Sequence, residues 1–210
     1  TKVINKEKYM NNPKVKKYID NEISILNEIS HPNILKQIEI KDLPTNIYII
    51  TEYYNGGNLS DYLEKNKEPL SEEIVQYIMR EIINGIKYLY DKSIIHRDIK
   101  LENIIINYKN ENDRINNNIL RGEIKISNFK FGIKKIEDKF IKKNPPDVDK
   151  KNKLINNPEY IDYKYEEKIE IWNLGKIYYK LLIGNIPFNS NFIKAIFEKI
   201  YKGDYLLSKE

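Results

Sequence analysis

The rhythm of apolar and polar positions changes near residue 57, and that change divides the chain. Residues 1–5 read as the end of a strand. Asn12-Pro13 reads as a helix start, with Asn as the cap and Pro in the first turn. Spacings of three and four then place Val15, Ile19, Ile23 and Leu26 on one helix face. After His31-Pro32-Asn33 come two extended runs, Ile34 to Ile40 and Ile47 to Thr51, with Asp42, Pro44 and Asn46 in the turn between them. Gly56-Gly57 is a break, and beyond it the period becomes helical. Ser71 followed by Glu72 and Glu73 is a helix start, because carboxylates favour the positive end of the helix dipole. Ile74, Ile78, Ile82, Ile86 and Leu89 repeat along one stripe of that helix.

The second half is less regular. Ile94 to Ile106 alternates short apolar runs with charges and does not read as one element. Tyr108 to Arg121 is polar and Asn-rich, the pattern of an exposed loop or insertion, and Glu123 to Ser127 reads as a short strand. No period is sustained from Phe129 to Asn157, where Pro145-Pro146 argues against a helix. Ile169 to Ile183 is apolar nearly all round, which predicts a helix buried inside a domain, ended by Gly184 and Pro187. A last helix is expected from about Asn191 to Tyr201. The order is a small strand-and-helix part, a Gly hinge and a mostly helical part, an α+β arrangement without internal repeats.

Composition narrows the function classes. The 36 basic and 31 acidic residues are interspersed, and the net charge of +5 forms no concentrated basic stripe, so no nucleic-acid partner is expected. Patches such as Lys14-Val15-Lys16-Lys17 read as solvated helix faces. No run of about 18 apolar residues occurs, so no membrane span is expected. Cys is absent, which removes disulfides and thiolate metal sites and fits a cytoplasmic, intracellular setting. Thr1 is not an initiator Met and no secretory signal is read, so the natural start is expected upstream.

The densest chemistry lies in His96-Arg97-Asp98-Ile99-Lys100-Leu101-Glu102-Asn103. A carboxylate, a lysine and a carboxamide fall within six residues: a proton acceptor, a phosphate-binding cation and an oxygen ligand for a metal. These eight positions resemble the catalytic loop of protein kinases, H-R-D-x-K-x-x-N, and the Lys two places after the Asp resembles the Ser/Thr branch. Further matches follow in family order. Thr1-Lys2-Val3-Ile4 resembles the strand of the ATP-orienting lysine, and Glu22 resembles its partner on the helix; alone, both would be ordinary surface charges. Ile49-Ile50-Thr51-Glu52-Tyr53-Tyr54 with Gly56-Gly57 resembles the gatekeeper and adenine-binding hinge, which assigns Glu52 and Tyr54 to the nucleotide. Asn157-Pro158-Glu159 resembles the A-P-E element, and Glu170-Ile171-Trp172-Asn173-Leu174-Gly175 the start of the central helix.

The resemblance implies a two-lobed protein-kinase-like fold in a single truncated domain, 1–210. It comprises a partial N-lobe over 1–51 (a partial antiparallel sheet plus one helix), a hinge at 52–57 and a partial, mainly helical C-lobe over 58–210. It places the Gly-rich phosphate loop before residue 1 and the last large-lobe helices after residue 210, so the chain is expected to be a fragment or a remnant. It implies ATP and Mg²⁺ as cofactors and a protein substrate or regulated protein partner. Asp98 would accept the substrate hydroxyl's proton, Lys100 would neutralise the transferring phosphoryl group, Arg97 would pair with an activating phosphate and Asn103 would hold metal. His96 and His31 are expected to be structural.

The pattern departs from the family at D-F-G, where this chain reads Asn128-Phe129-Lys130. Asn128 offers Mg²⁺ an uncharged oxygen where the ion prefers an anionic one, and Lys130 replaces a flexible glycine. From Phe129 to Glu159 there is no Ser, Thr or Tyr to phosphorylate; Asn152 falls where a substrate-loop threonine is expected, and Glu170 replaces an aspartate. These departures imply an impaired kinase, or alternatively a pseudokinase that binds nucleotide or a partner as a regulatory scaffold.

Overall fold

A computed structural model of the chain describes residues 1–66, 69–134, 166–190 and 192–205. Strand β1 (Lys2–Asn5) and strand β2 (Gln37–Asp42) both pair antiparallel with the central β3 (Asn46–Thr51), giving the order β1-β3-β2. Ile47 and Ile49 alternate onto the buried face of β3, opposite Ile4 and Lys2. A register shift between Gln37 and Glu39 turns Ile38 out to solvent. The extended run begins later than its apolar content predicts. Ile34 instead bridges Ile126 in parallel, and the Leu35 amide donates to the Ile126 carbonyl at 2.9 Å, tying the small part to the large one.

Helix α1 (Lys6–Met10) is a single short element capped by Asn5, and no apolar period announces it. Helix α2 (Pro13–Leu26) begins where Asn12-Pro13 predicts, and the Asn12 carboxamide accepts from the Val15 amide. Its buried face carries Ile19, Glu22, Ile25 and Leu26, whereas Val15 is exposed. The predicted stripe thus starts a turn late, because the helix leans its C-terminal half on the turn at Phe129–Phe131. There Asn21 donates to the Gly132 carbonyl at 2.6 Å, and Tyr18 meets Phe131 edge-on at 5.9 Å.

The larger part is built on helix α3 (Leu59–Asn66) and helix α4 (Glu72–Asp91), the latter capped by Ser71 as predicted. Val75, Ile78, Ile82 and Leu89 are buried, and Gly85 lets α4 approach closely: a Cβ there would stand 2.8 Å from Ile126 Cδ1 and 3.0 Å from the Asn33 carbonyl. Against it lie the two-residue β4 (Ile94–Ile95), β5 (Ile104–Tyr108) and β6 (Gly122–Ile126). Strands β5 and β6 pair antiparallel, while β4 pairs with β7 (Ile133–Lys134).

The Asn-rich stretch after Tyr108 is more ordered than the loop its polarity predicts. It forms α5 (Glu111–Ile115), capped by Asn110, and a single turn at Ile119–Arg121 that buries Ile119. Its asparagines satisfy backbone amides, and one apolar anchor suffices to seat it. Helix α6 (Glu166–Ile183) is the central helix. It buries Ile169, Ile177 and Leu181, yet Ile171 and Tyr178 are exposed, so it is not enclosed all round by the described residues. Gly184, at φ 78°, ends it, and α7 (Ile193–Lys202) follows. A small antiparallel sheet with its helix, followed by a mostly helical remainder, is the predicted α+β architecture.

Candidate active site

His96 organises the loop that β4 delivers. It is fully buried, its Nε2 donates to the Ser127 carbonyl at 2.9 Å, and its Nδ1 accepts from the Asp98 amide at 3.2 Å. Phe129 meets its ring edge-on at 4.8 Å. Burial pushes its pKa down to about 4, so the ring is neutral and acts as a spacer. That matches the structural role expected of it. His31 is likewise used locally, accepting from the Asn33 amide and stacking on Tyr88.

Arg97 sits at φ 68°, a left-handed conformation that costs a non-glycine residue about 1–3 kcal/mol. What holds it there is buried Glu170, whose carboxylate accepts from the Arg97 amide at 2.7 Å. Burial raises the Glu170 pKa to about 7, although the backbone N–H groups of Arg97 and His96 oppose the rise.

Beyond this turn Asp98, Lys100 and Asn103 converge. The Asn103 amide nitrogen donates both to the Asp98 carbonyl at 2.7 Å and to Asp98 Oδ2 at 2.8 Å, while Lys100 Nζ lies 3.2 Å from the same carboxylate oxygen. Two acceptors on one face fix the orientation of the Asn103 carboxamide, so its Oδ1 points the other way. There it accepts from Asn128 Nδ2 at 3.1 Å. Asn128 adopts the left-handed conformation (φ 67°), which Asn tolerates better than most residues. The adjoining Lys130 ammonium lies over the Phe131 ring, 5.1 Å from its centre.

In the small part Lys2 Nζ meets both Glu22 oxygens, at 2.8 and 2.6 Å. Glu22 is buried and Lys2 half-exposed, so an inner carboxylate holds a cation at a solvent-facing edge. The connector between β3 and α3 is stitched down by residues that sequence reasoning missed. Lys125 is buried on β6 and donates to both Glu52 oxygens at 3.0 and 3.1 Å, while Glu52 also accepts from the Lys36 amide at 2.8 Å. Asn55 pairs reciprocally with the backbone of Tyr108, at 3.0 and 2.8 Å. Tyr54 is exposed beside them. Asn152 and Asn157-Pro158-Glu159 lie outside the described residues.

The donor chemistry separates the two cofactors that the fold implies. Lys2, fixed by Glu22 and facing outward, fits an anionic polyphosphate. The pair Asn103–Asn128 fits a divalent cation poorly: both ligands are neutral carboxamides, and the oxygen of one is already bonded to the nitrogen of the other. Among the described residues no group of three or more His, Cys, Asp or Glu could hold a metal ion.

The protein kinase domain family matches residues 1–209, and the chain belongs to that family. It is 32% identical over 208 residues to an SNF1-related protein kinase catalytic subunit alpha of Arabidopsis thaliana. It is 30% identical to a probable serine/threonine-protein kinase of Dictyostelium discoideum and to a CBL-interacting serine/threonine-protein kinase of Arabidopsis thaliana. These matches cover 98, 97 and 97% of this chain but span 38, 23 and 39% of those relatives' lengths.

Proposed function

We propose that this serine/threonine-type kinase domain directs phosphoryl transfer from ATP to a Ser or Thr hydroxyl of a protein, in an intracellular setting, with the transfer impaired at position 128. The observation that carries the impairment is the Asn128–Asn103 hydrogen bond, which stands where the family places charged metal coordination. On this reading residues 1–51 and 58–210 are the two lobes and 52–57 the connector, with Glu52 and Tyr54 flanking the nucleotide. Lys2, steadied by Glu22, orients the polyphosphate. Asp98 orients the hydroxyl and takes its proton, Lys100 offsets charge on the transferring group, and Arg97 sets the turn that presents Asp98. Positioning and electrostatics carry most of such chemistry, so a domain that keeps these groups keeps part of the rate.

A second reading is a non-catalytic scaffold. It is favoured by the packing of Phe129 against His96 and by the Lys2–Glu22 pair, both of which form without a carboxylate at position 128. Transfer from labelled ATP to a generic protein substrate separates the two, using the intact natural protein. Slow transfer that Asp98→Ala abolishes and Asn128→Asp accelerates is the expected result. Folded protein that transfers nothing until Asn128→Asp is introduced would establish the scaffold reading instead. A rate indifferent to Asn128→Asp would remove the impairment altogether.

A further inference from the structure

A cavity of about 180 Å³ opens between the catalytic-loop segment and α6, and among the described residues its charge is one-sided. Of these, Lys100, Lys176 and Lys180 line it with one carboxylate, Glu102, and Ile99 and Phe188 are among its apolar walls. Lys176 and Lys180 are one helical turn apart, a like-charge spacing that weakens a helix. Part of the Lys180 charge has a local use, because its ammonium donates to the Gly184 carbonyl at the helix end. A lysine has three N–H donors, so this contact leaves others to a ligand. Lys176 is the more costly residue: burial pushes its pKa down to about 8, against the pull of Asp98 and Glu102. Lys100 joins the cavity directly to Asp98, at 3.2 Å.

Ligand pockets for drug-sized molecules run from about 300 Å³ upward, so this one suits a single side chain and not a second nucleotide. We propose that it is a specificity pocket, receiving the carboxylate of a Glu or Asp that flanks the target hydroxyl in an acidic protein segment. A carboxylate there would sit between the lysine ammonium groups in a low-dielectric niche, making charge-assisted hydrogen bonds beside the apolar wall. The wall takes the methylene stem, and Lys100 sets the spacing to Asp98.

This inference rests on the reading of the domain as one that engages a protein segment, and its test reads binding without transfer. Fluorescence anisotropy on the intact natural protein would use labelled Ser-containing peptides in which one Glu is walked through the flanking positions, each with a Gln counterpart. In at least one register the Glu peptide should bind about tenfold tighter than its Gln counterpart, the worth of one charge-assisted contact. The preference should weaken with salt, disappear in Lys176→Met, and invert towards a Lys peptide in Lys180→Glu. Equal binding of Glu and Gln peptides in every register would overturn the proposal. So would no peptide binding at all, a preference that survives Lys176→Met, or binding of phosphoserine peptides alone. Absent phosphoryl transfer with the Glu preference intact would sink only the enzymatic reading of the domain.

Discussion

Replacing Glu170 by Gln should abolish one contribution to the pH dependence of stability. Glu170 is buried, and burial lifts its pKa from the ordinary 4.5 to about 7. A folded-state pKa raised above the unfolded value means that the folded chain binds more protons between those limits. The stability Glu170 contributes is therefore complete below about pH 4.5 and is lost as pH rises through about 7. A shift of 7 − 4.5 = 2.5 corresponds to about 3 kcal/mol, most of it falling between pH 5 and pH 8. Gln keeps a carbonyl to accept the Arg97 amide and carries no charge, so it imitates the protonated acid at every pH. Its own amide hydrogens cost roughly 1–3 kcal/mol where they lack partners, but that cost is constant with pH. His96 acts in the opposite direction. Its pKa is depressed to about 4, so the stability it contributes is lost as pH falls from 6.5 towards 4. Because His96 is present in both proteins, it cancels in the difference. Urea denaturation at pH 5, 6, 7 and 8 measures that difference: the variant should gain on the natural protein by about 2–3 kcal/mol across the range. A difference that stays level from pH 5 to pH 8 would show that Glu170 is ionised at its ordinary pKa, and that burial does not govern it.

Three further outcomes follow from contacts in the fold. Gly56→Ala would set a Cβ 2.8 Å from both the Ile106 carbonyl oxygen and Tyr108 Cε2. It should cost about 1–3 kcal/mol in chemical denaturation, and an unchanged midpoint would mean the connector yields freely. Lys125→Met removes the cation that both Glu52 oxygens share, leaving a carboxylate short of its partner. We expect a loss of about 1–3 kcal/mol and a connector that exchanges amide hydrogen faster, whereas equal protection at Glu52 would count against the pairing. Phe129→Ala empties a fully buried site against His96 and should cost about 3–5 kcal/mol, with Phe129→Leu less than half as damaging; equal costs would argue against ring packing there.

Helix α4 was readable because three independent signals agree: the Ser71 cap, acidic residues in the first turn, and an apolar stripe from Ile74 to Leu89, about four turns. The loop from His96 to Asn103 was readable for a different reason, since its polar residues are local in sequence. Eight adjacent positions carry the Asp98–Lys100–Asn103 arrangement without help from distant residues. Where reading failed, the deciding partner was far away. Val15 and Ile25 exchange places on α2 because the turn at Phe129–Phe131, a hundred residues on, chooses the face. Lys125 sits between Ile124 and Ile126 with nothing in its neighbourhood to announce Glu52. Lys176 lies in the run from Ile169 to Ile183 that is apolar nearly all round, and only the loop packed against it makes it part of a charged cavity. The stretch after Tyr108 misled for the opposite reason: Asn and Asp promise a loop, yet the same side chains cap short helical turns when one isoleucine anchors them.

Replacing a carboxylate by its amide at position 128 changes more than charge. Ligand oxygens that converge on a cation repel one another when the cation leaves, and that repulsion is part of what draws the ion back. Here one of the two converging groups is a donor. Asn128 Nδ2 points at Asn103 Oδ1, and the Asn103 nitrogen is already committed to Asp98, so the three side chains satisfy one another in series. For Asn103 and Asn128 to hold a divalent ion, a hydrogen bond worth about 1 kcal/mol would have to break and the Asn128 amide turn over, and both ligand oxygens would be neutral. On the proposed function, an amide here would lower the ion's electrostatic reward and also the repulsion that an empty site would otherwise store. The same network explains how the loop keeps its shape. Asp98 is held by Asn103 and Lys100 and needs no metal ion to orient it. On the proposed function, a loop held in this way would keep its geometry for positioning a hydroxyl even where metal binding is weak, and binding could then outlast transfer.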